Sequence, residues 1–143
     1  MNIIEVVSAV IVHDGRILLT QRLCDKDFAY TWESPGGKVE SGETHHDGLR
    51  RELFEEIGVS VIHFVDEPIF SAQFDGEVKR IERTKVHLYF YIVESFCGVP
   101  KPMEGQGIGW FSPNEMPHLN LAPGNARALE TLQRLSHIWD EPA

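Results

Sequence analysis

One amphipathic helix, marked at both of its ends, is the feature that most constrains how this chain folds. Thr44 is a typical N-cap residue with Asp47 three positions later, and Gly58 is placed to end the helix in a left-handed turn. The sequence therefore predicts one helix over 45–57. At about 100° per residue, the apolar arc that should face the core consists of Leu49, Leu53, Phe54 and Ile57.

The opposite side of this helix is acidic. Glu52 lies three residues before Glu55 and four before Glu56, so like charges share one helical surface and cost about a few tenths of a kcal/mol per pair. A hard divalent cation such as Mg²⁺ or Mn²⁺ would offset this repulsion, because carboxylate oxygens are its preferred ligands. The alternative is a solvated acidic face, on which Arg51 pairs with Glu55.

Strands are expected on both sides of the helix. The β-branched run 3–12, an Asp14-Gly15 turn and the run 16–22 predict a hairpin. A loop then reaches Pro35-Gly36-Gly37. Later strands are expected at 59–65, 69–75, 77–81, 85–94 and 110–111, with a turn at Asp75-Gly76.

A second helix is expected over 123–139, because its apolar residues lie near core spacing. The first-turn histidines of the first helix, His45 and His46, should lie at the surface. The order of elements predicts an α/β fold, in which a mixed central sheet lies between two helical layers of a single domain, 1–143.

The net charge of the chain limits the kinds of partner that it can bind. The 143 residues carry a net charge of −9, with 22 acidic and 13 basic side chains, so no broad positive surface for long nucleic acid or an anionic membrane is expected. The first apolar run is too short to span a bilayer and has no basic segment before it, so we expect a cytoplasmic protein.

Cys24 and Cys97 form no C-x-x-C pair, which indicates two reduced thiols.

The helix lies within a longer pattern. Gly37, Glu43, Arg51-Glu52-Leu53, Glu55-Glu56 and Gly58-Val59 are spaced as in G-x5-E-x7-R-E-U-x-E-E-x-G-U, where U is a bulky aliphatic residue. This pattern resembles the Nudix box, and every fixed position is filled. The resemblance implies an α/β/α sandwich around a mixed sheet, and an enzyme that uses Mg²⁺, or Mn²⁺ in its place, to hydrolyse a nucleoside diphosphate linked to another group.

The same resemblance implies roles for individual residues. The metal ion would be held by three carboxylates of the box and one backbone carbonyl, those of Glu52, Glu55, Glu56 and Gly36. Arg51 would orient the carboxylates, and Glu43 would support them. The substrate would arrive as a magnesium complex, so an acidic protein is compatible with an anionic substrate.

A second motif indicates which branch of the family the chain resembles. Residues 32–40, Trp-Glu-Ser-Pro-Gly-Gly-Lys-Val-Glu, are similar to the W-E-F-P-G-G-K-x-E run of MutT-type nucleoside triphosphate pyrophosphohydrolases, as are Thr20-Gln21-Arg22 and Glu104-Gly105-Gln106. The resemblance implies release of a monophosphate and pyrophosphate, for nucleotide-pool sanitation. Glu104 would be a further metal-facing or basic glutamate, or else a plain loop acid. Either Glu52 or Glu104 could be the base that accepts the proton of the attacking water, and a metal-bound hydroxide would need neither.

Four residues are candidates for contacts with the substrate. Arg22 and Lys38 would contact phosphates, with solvated surface cations as the alternative. Asn125 resembles the asparagine that MutT-type enzymes present to the purine edge, with helix capping as the alternative. Ser34 stands where a phenylalanine would line the base pocket, so oxidised dGTP, dCTP and CTP are all open as substrates.

Other activities within the family are the alternatives. ADP-ribose hydrolases tend to carry a proline at a set distance past the box, and dinucleoside polyphosphate hydrolases a tyrosine near there, whereas this chain has Phe74-Asp75-Gly76. A nucleotide sensor without turnover would use the same pocket, but a complete set of repelling carboxylates favours catalysis. We expect a monomer or homodimer acting on a small nucleotide.

Overall fold

The computed structural model describes residues 2–26, 28–78 and 82–139. Its strands, numbered β1 to β9 in chain order, are Asn2–Val10, Val12–His13, Arg16–Gln21, Trp32–Glu33, Gly36–Lys38, Ser60–Phe64, Phe70–Val78, Glu82–Cys97 and Gly107–Phe111. Its α-helices, α1 to α3, are His45–Ile57, Asn125–Gln133 and Ser136–Trp139, and a 3₁₀ turn covers Met116–His118. No helix in this part of the chain is long and apolar enough to cross a membrane.

The larger sheet is mixed, as the sequence predicted. Strands β1 and β8 run parallel, from Asn2 opposite Thr84 to Val10 opposite Ile92. All other pairs in this sheet are antiparallel: β5 pairs with β1, while β6 and β7 pair with successive parts of β8 along its other edge. The long strand β8 is therefore the centre of the sheet.

A smaller antiparallel sheet contains β2, β3, β4 and β9, and it corrects the predicted opening hairpin. Only Val12 and His13 pair with the start of β3, opposite Ile17 and Arg16. The preceding strand β1 pairs with β8 instead, in the larger sheet. The predicted hairpin is thus wrong for residues 3–10, because the chain changes sheets near Ile11.

Helices cover both faces of the larger sheet, which confirms the α/β/α layering. On one face α1 packs its buried residues against β1, β6 and β8, in a cluster that includes Leu49, Leu53, Ile57, Val7, Ala9, Tyr91 and Val93. On the other face α2 packs in a second cluster that includes Ala128, Leu129, Leu132, Val10, Leu88 and Phe90. Phe54 was expected in the core but is 62% exposed, since it lies at the edge of the apolar arc.

The predicted bounds of α1 are confirmed. Thr44 accepts a hydrogen bond from the Asp47 N–H through its side chain, and Gly58 ends the helix at φ +70°, with its N–H donating to the Phe54 carbonyl. Glycine adopts this left-handed conformation at little cost. Both ends of α1 are therefore set by local interactions.

Two other predictions were wrong or incomplete, and one lies partly outside the described residues. Strand β7 runs through Asp75 and Gly76 to Val78 without a turn, because both residues stay paired with β8. The rest of the predicted strand 77–81 lies outside the described residues. The predicted helix 123–139 is two helices, since α2 ends at Gln133 and α3 begins at Ser136.

The first-turn histidines of α1 are not simply at the surface. His45 bonds to both Tyr91 and Glu5, and His46 stacks on Phe64 with ring centroids 4.8 Å apart. Both are half-buried, because the start of α1 rests on the larger sheet. The two cysteines of the chain are free and exposed.

Candidate active site

Arg51 organises the acidic side of α1. Its guanidinium makes two hydrogen bonds to the Glu43 carboxylate, from Nε at 2.8 Å and from Nη2 at 3.0 Å, and it donates to the Lys38 carbonyl at 3.0 Å. From Nη1 it also reaches Glu52 at 3.0 Å and Glu55 at 3.3 Å. Arg51 therefore holds two of the three box carboxylates from one side.

The pKa values of this group follow from these bonds. The hydrogen bonds from Arg51 lower the pKa of Glu43, and those to Glu43 raise the pKa of Arg51 above its ordinary value. Burial raises the pKa of Glu52, although Arg51 opposes this effect. Arg51 thus stays a cation, whereas burial favours the protonated, neutral form of Glu52.

Glu56 lies on the other side of the group and has no basic partner among the described residues. It accepts a hydrogen bond of 2.9 Å from the Gly36 N–H. Burial raises its pKa to about 8, and the negative charges of Glu52, Glu104 and Glu33 act in the same direction. A cation bound here would remove an uncompensated negative charge.

The two glycines of β5 allow this strand to approach α1 closely. A Cβ atom at Gly37 would lie 2.6 Å from the Glu52 Oε1 atom, so a larger residue would displace that carboxylate. At Gly36 a Cβ atom would collide with the backbone of Val7. The observed contact of Gly36 is through its N–H, whereas its carbonyl as a metal ligand stays a prediction.

Glu104 is brought to the same site by the loop between β8 and β9. The negative charge of Glu104 raises the pKa of both Glu52 and Glu56. Gln106 fixes this loop, because its Nε2 donates to the Glu56 carbonyl at 2.8 Å and its Oε1 accepts from the Glu104 N–H at 2.9 Å. Nothing in the local sequence marks Gln106 as an anchor of this loop, so this role could not be predicted.

An open cavity of about 310 Å³ lies beside these residues. Its lining residues come from β3, the loop after it, β4, α1 and the β8–β9 loop, and they are Thr20, Gln21, Arg22, Leu23, Asp25, Lys26, Glu33, Glu56, Glu104 and Gln106. Arg22 thus lines the cavity, whereas its contact with a phosphate stays a prediction. Lys38 is exposed and does not line the cavity, so of the two predicted basic contacts only Arg22 is placed there.

Ser34 and Asn125 are in contact with each other. The buried Ser34 N–H donates to the Asn125 Oδ1 at 2.9 Å, and the Ser34 hydroxyl has no hydrogen-bond partner within the described residues. Asn125 does not cap α2, because the N-cap is Gly124 and no side chain caps the helix. The capping alternative for Asn125 is therefore wrong.

The donor set fits a hard divalent cation by its chemistry, since it consists of carboxylate oxygens with one uncompensated member, Glu56. Within residues 2–26, 28–78 and 82–139, however, no three acidic, histidine or cysteine side chains are already clustered as metal ligands. Arg51 holds Glu52 and Glu55 on one side, and Gly36 holds Glu56 on the other. Metal binding would thus require these carboxylates to turn inward.

Comparison of the chain with known proteins identifies its family. The protein-family model described as the NUDIX domain matches residues 3–132. The chain belongs to the Nudix family. This Nudix chain is 38% identical over 135 residues to the CTP pyrophosphohydrolase of Escherichia coli. The alignment covers 94% of this chain and 95% of the relative. The chain is 34% identical over 137 residues to the 8-oxo-dGTP diphosphatase of Haemophilus influenzae, in an alignment that covers 95% and 96%.

Two solved structures confirm the fold. The solution structure of the E. coli ORF135 protein has a TM-score of 0.80 and 39% identity, over 96% of this chain and 94% of that one. The MutT Nudix hydrolase from Burkholderia pseudomallei has a TM-score of 0.74 and 28% identity, over 91% and 98%. Nudix hydrolases generally need a divalent metal ion and act on small nucleotides.

Proposed function

We propose that this Nudix hydrolase converts nucleoside triphosphates to the monophosphate and pyrophosphate, depends on Mg²⁺ with Mn²⁺ able to substitute, and serves nucleotide-pool sanitation. One observation carries the proposal: Glu56 and Glu104 line the same cavity as Arg22, and the negative charge of Glu104 raises the pKa of both Glu52 and Glu56. The names of both relatives above describe hydrolysis of a nucleoside triphosphate, which supports the same reaction.

The metal ligands in this proposal are the Glu52, Glu55, Glu56 and Glu104 carboxylates and the Gly36 carbonyl. A bound divalent cation would neutralise phosphate charge and lower the pKa of a water molecule. Arg51 would orient Glu52 and Glu55, using the hydrogen bonds that it makes to them, while Glu43 fixes Arg51. Glu52 or Glu104 would accept the proton from the attacking water.

The substrate would lie across the cavity. Arg22 would contact its phosphates, and Lys38 would contribute only from outside the cavity, as an exposed cation. Ser34 and Asn125 are the proposed contacts to the base, but both are buried and neither lines the cavity, so the base would have to reach beyond the lining residues. The Ser34 hydroxyl is an unsatisfied polar group, and the Asn125 amide offers both a donor and an acceptor. Oxidised dGTP, dCTP and CTP are the substrates to test first.

The same proposal treats residues 1–143 as one domain that acts in the cytoplasm, as a monomer or homodimer. Its partner is a small nucleotide, without long nucleic acid or a membrane. The net charge of −9 supports this choice, since a polyanion would be repelled unless its charge were first neutralised.

The decisive experiment measures pyrophosphate release from the dNTPs, the NTPs, 8-oxo-dGTP and ADP-ribose, with and without Mg²⁺. Glu55→Gln is compared with Glu130→Gln, because both glutamates pair with an arginine at i,i+4 but Glu130 lies on α2 away from the cavity. We expect metal-dependent cleavage of a triphosphate, a near loss of activity in Glu55→Gln and normal activity in Glu130→Gln.

The other outcomes identify the alternatives. Cleavage of ADP-ribose, or of a dinucleoside polyphosphate added to the same set of substrates, in preference to every triphosphate would replace the proposed substrate class. If nothing is cleaved but a nucleotide raises the melting temperature, the chain is a nucleotide sensor. Equal losses of activity in Glu55→Gln and Glu130→Gln would show that the effect does not depend on the acidic site.

A further inference from the structure

The Arg22 side chain is held by a carboxylate that has no role in the site described so far. Its Nε and Nη2 atoms lie 3.1 Å and 3.0 Å from the same Glu33 oxygen, Oε2. The Arg22 backbone is fixed as well, because its N–H donates to the Thr31 carbonyl and its carbonyl accepts from the Tyr30 N–H. Both the start and the end of this side chain are therefore constrained.

Glu33 lies in a place where a carboxylate is costly. It lines the cavity beside Glu56 and Glu104, and its side chain is only 22% exposed. Burial raises the pKa of Glu33 while Arg22 opposes this, and its negative charge adds to the repulsion at Glu56. A further anion in a cavity for phosphates would weaken substrate binding unless it improved the geometry of the cation beside it.

We propose that Glu33 is a positioning residue, which orients the Arg22 guanidinium so that it meets a substrate phosphate in the cavity. Strand β4 places Glu33 opposite Thr20 on β3, two residues before Arg22, so the two side chains project from neighbouring strands towards the same space. An arginine has five N–H donors in a rigid fork. Bonds to one edge of the fork fix the direction of the rest, which reduces the freedom lost when a phosphate binds.

This inference rests on the proposed function for the identity of the substrate, and a double-mutant cycle tests it. The variants are Glu33→Gln, which keeps the shape but not the charge, Arg22→Ala, and the two combined. Glu130→Gln is the matched control, since Glu130 forms an Arg–Glu pair of 3.1 Å with Arg134 outside the cavity. Melting temperatures identify any variant that fails to fold, and Glu33→Asp then replaces Glu33→Gln.

We expect Glu33→Gln to raise KM for a triphosphate about tenfold and to change kcat by less than about threefold, because phosphate binding rather than the chemical step is affected. Arg22→Ala should raise KM further, and the double variant should be no worse than Arg22→Ala alone. The control should keep the normal KM. A loss of fold stability alone would not produce this separation of KM from kcat.

The dissociation constant of inorganic pyrophosphate with Mg²⁺ gives a readout that does not need turnover. The same non-additivity there, in a protein that cleaves no triphosphate, would support the role of Glu33 and end the proposed function. Multiplicative effects of the two substitutions, or an unchanged KM in Glu33→Gln, would overturn the inference while the function stands. A wild-type protein that neither cleaves triphosphates nor binds pyrophosphate overturns both.

Discussion

The Ser34 N–H donates to the Asn125 Oδ1 at 2.9 Å, across a separation of 91 residues in the sequence. Both residues are buried, at 3% and 6% exposure. This bond joins the start of α2 to the segment that leads into β5, and it fixes which atom of the Asn125 amide faces Ser34. The Ser34 hydroxyl beside it has no partner within the described residues.

Opposite effects on stability are expected from these two neighbours. Asn125→Ala leaves the buried Ser34 N–H unpaired and should lower the free energy of unfolding by about 1–3 kcal/mol. Ser34→Ala removes an unsatisfied hydroxyl and should leave that free energy unchanged or raise it by up to about 1 kcal/mol. Urea unfolding measures both. A lower free energy of unfolding in Ser34→Ala would mean that the hydroxyl is hydrogen-bonded in the folded protein.

Gly37→Ala should separate activity from stability. The new Cβ would lie on the Glu52 carboxylate and turn it away from the site, and a displacement of about 1 Å can reduce turnover about 100-fold. The matched control is Gly42→Asn, because no atom lies within 4 Å of a Cβ at Gly42 and asparagine tolerates its φ of +85°. Steady-state kinetics and melting curves test both variants. Full activity in Gly37→Ala would exclude Glu52 from the reaction.

The parts of the fold that the sequence predicted well depend on local interactions. Both ends of α1 follow from Thr44 and Gly58, which act within one turn of the helix. The Asp75-Gly76 turn was wrong because pairing with β8 along all of β7 outweighs the local preference of two residues for a turn. The opening hairpin was wrong for a similar reason, since β1 finds its partner more than 80 residues away.

The same distinction applies to the candidate site. The spacing of Glu52, Glu55 and Glu56 is a property of one helix, so their common location was predictable. The sequence could not show that Arg22 lines the cavity while Lys38 does not, because the difference depends on how two sheets meet. Gln106 and Glu33 act through contacts with distant segments, and a motif supplies residue types without such contacts.

Glu56 should make the metal-free protein sensitive to pH. Its pKa is raised to about 8 in the folded protein, from an ordinary value of 4.5, so the folded state holds the proton more tightly than the unfolded state. The stability that this provides is present below pH 4.5 and is lost as the pH rises through 8. In EDTA, we therefore expect the melting temperature to fall over this range.

Magnesium and a neutral substitution should both reduce this loss. A Mg²⁺ concentration of about 100 times its dissociation constant should add about 2.7 kcal/mol to the free energy of unfolding at high pH. Glu56→Gln should flatten the pH dependence in EDTA and lose most of the response to Mg²⁺, whereas Glu130→Gln should behave as wild type. Thermal melts from pH 5 to pH 9 test this, and an unchanged profile in Glu56→Gln would assign the dependence to other groups.

The contact between His45 and Tyr91 should stabilise the fold. The Tyr91 hydroxyl lies 2.7 Å from the His45 Nδ1, and the His45 Nε2 lies 3.1 Å from Glu5, so this imidazole links α1 to β8 and β1. Tyr91 is 5% exposed. Tyr91→Phe removes the hydroxyl without changing the ring, and it should lower the free energy of unfolding by about 1–2 kcal/mol because a half-buried ring nitrogen loses its partner.

Tyr89 provides the matched control for that substitution. Its ring packs on His45 with centroids 4.5 Å apart, and its hydroxyl makes no hydrogen bond to the described residues. Tyr89→Phe should therefore change the free energy of unfolding by less than about 0.5 kcal/mol. Urea unfolding of both variants, with KM measured in parallel, compares a hydroxyl that bonds to His45 with one that does not. Because neither tyrosine lines the cavity, KM should be unchanged in both. Equal losses of stability would show that the Tyr91 hydroxyl contributes no more than a hydroxyl that makes no such hydrogen bond.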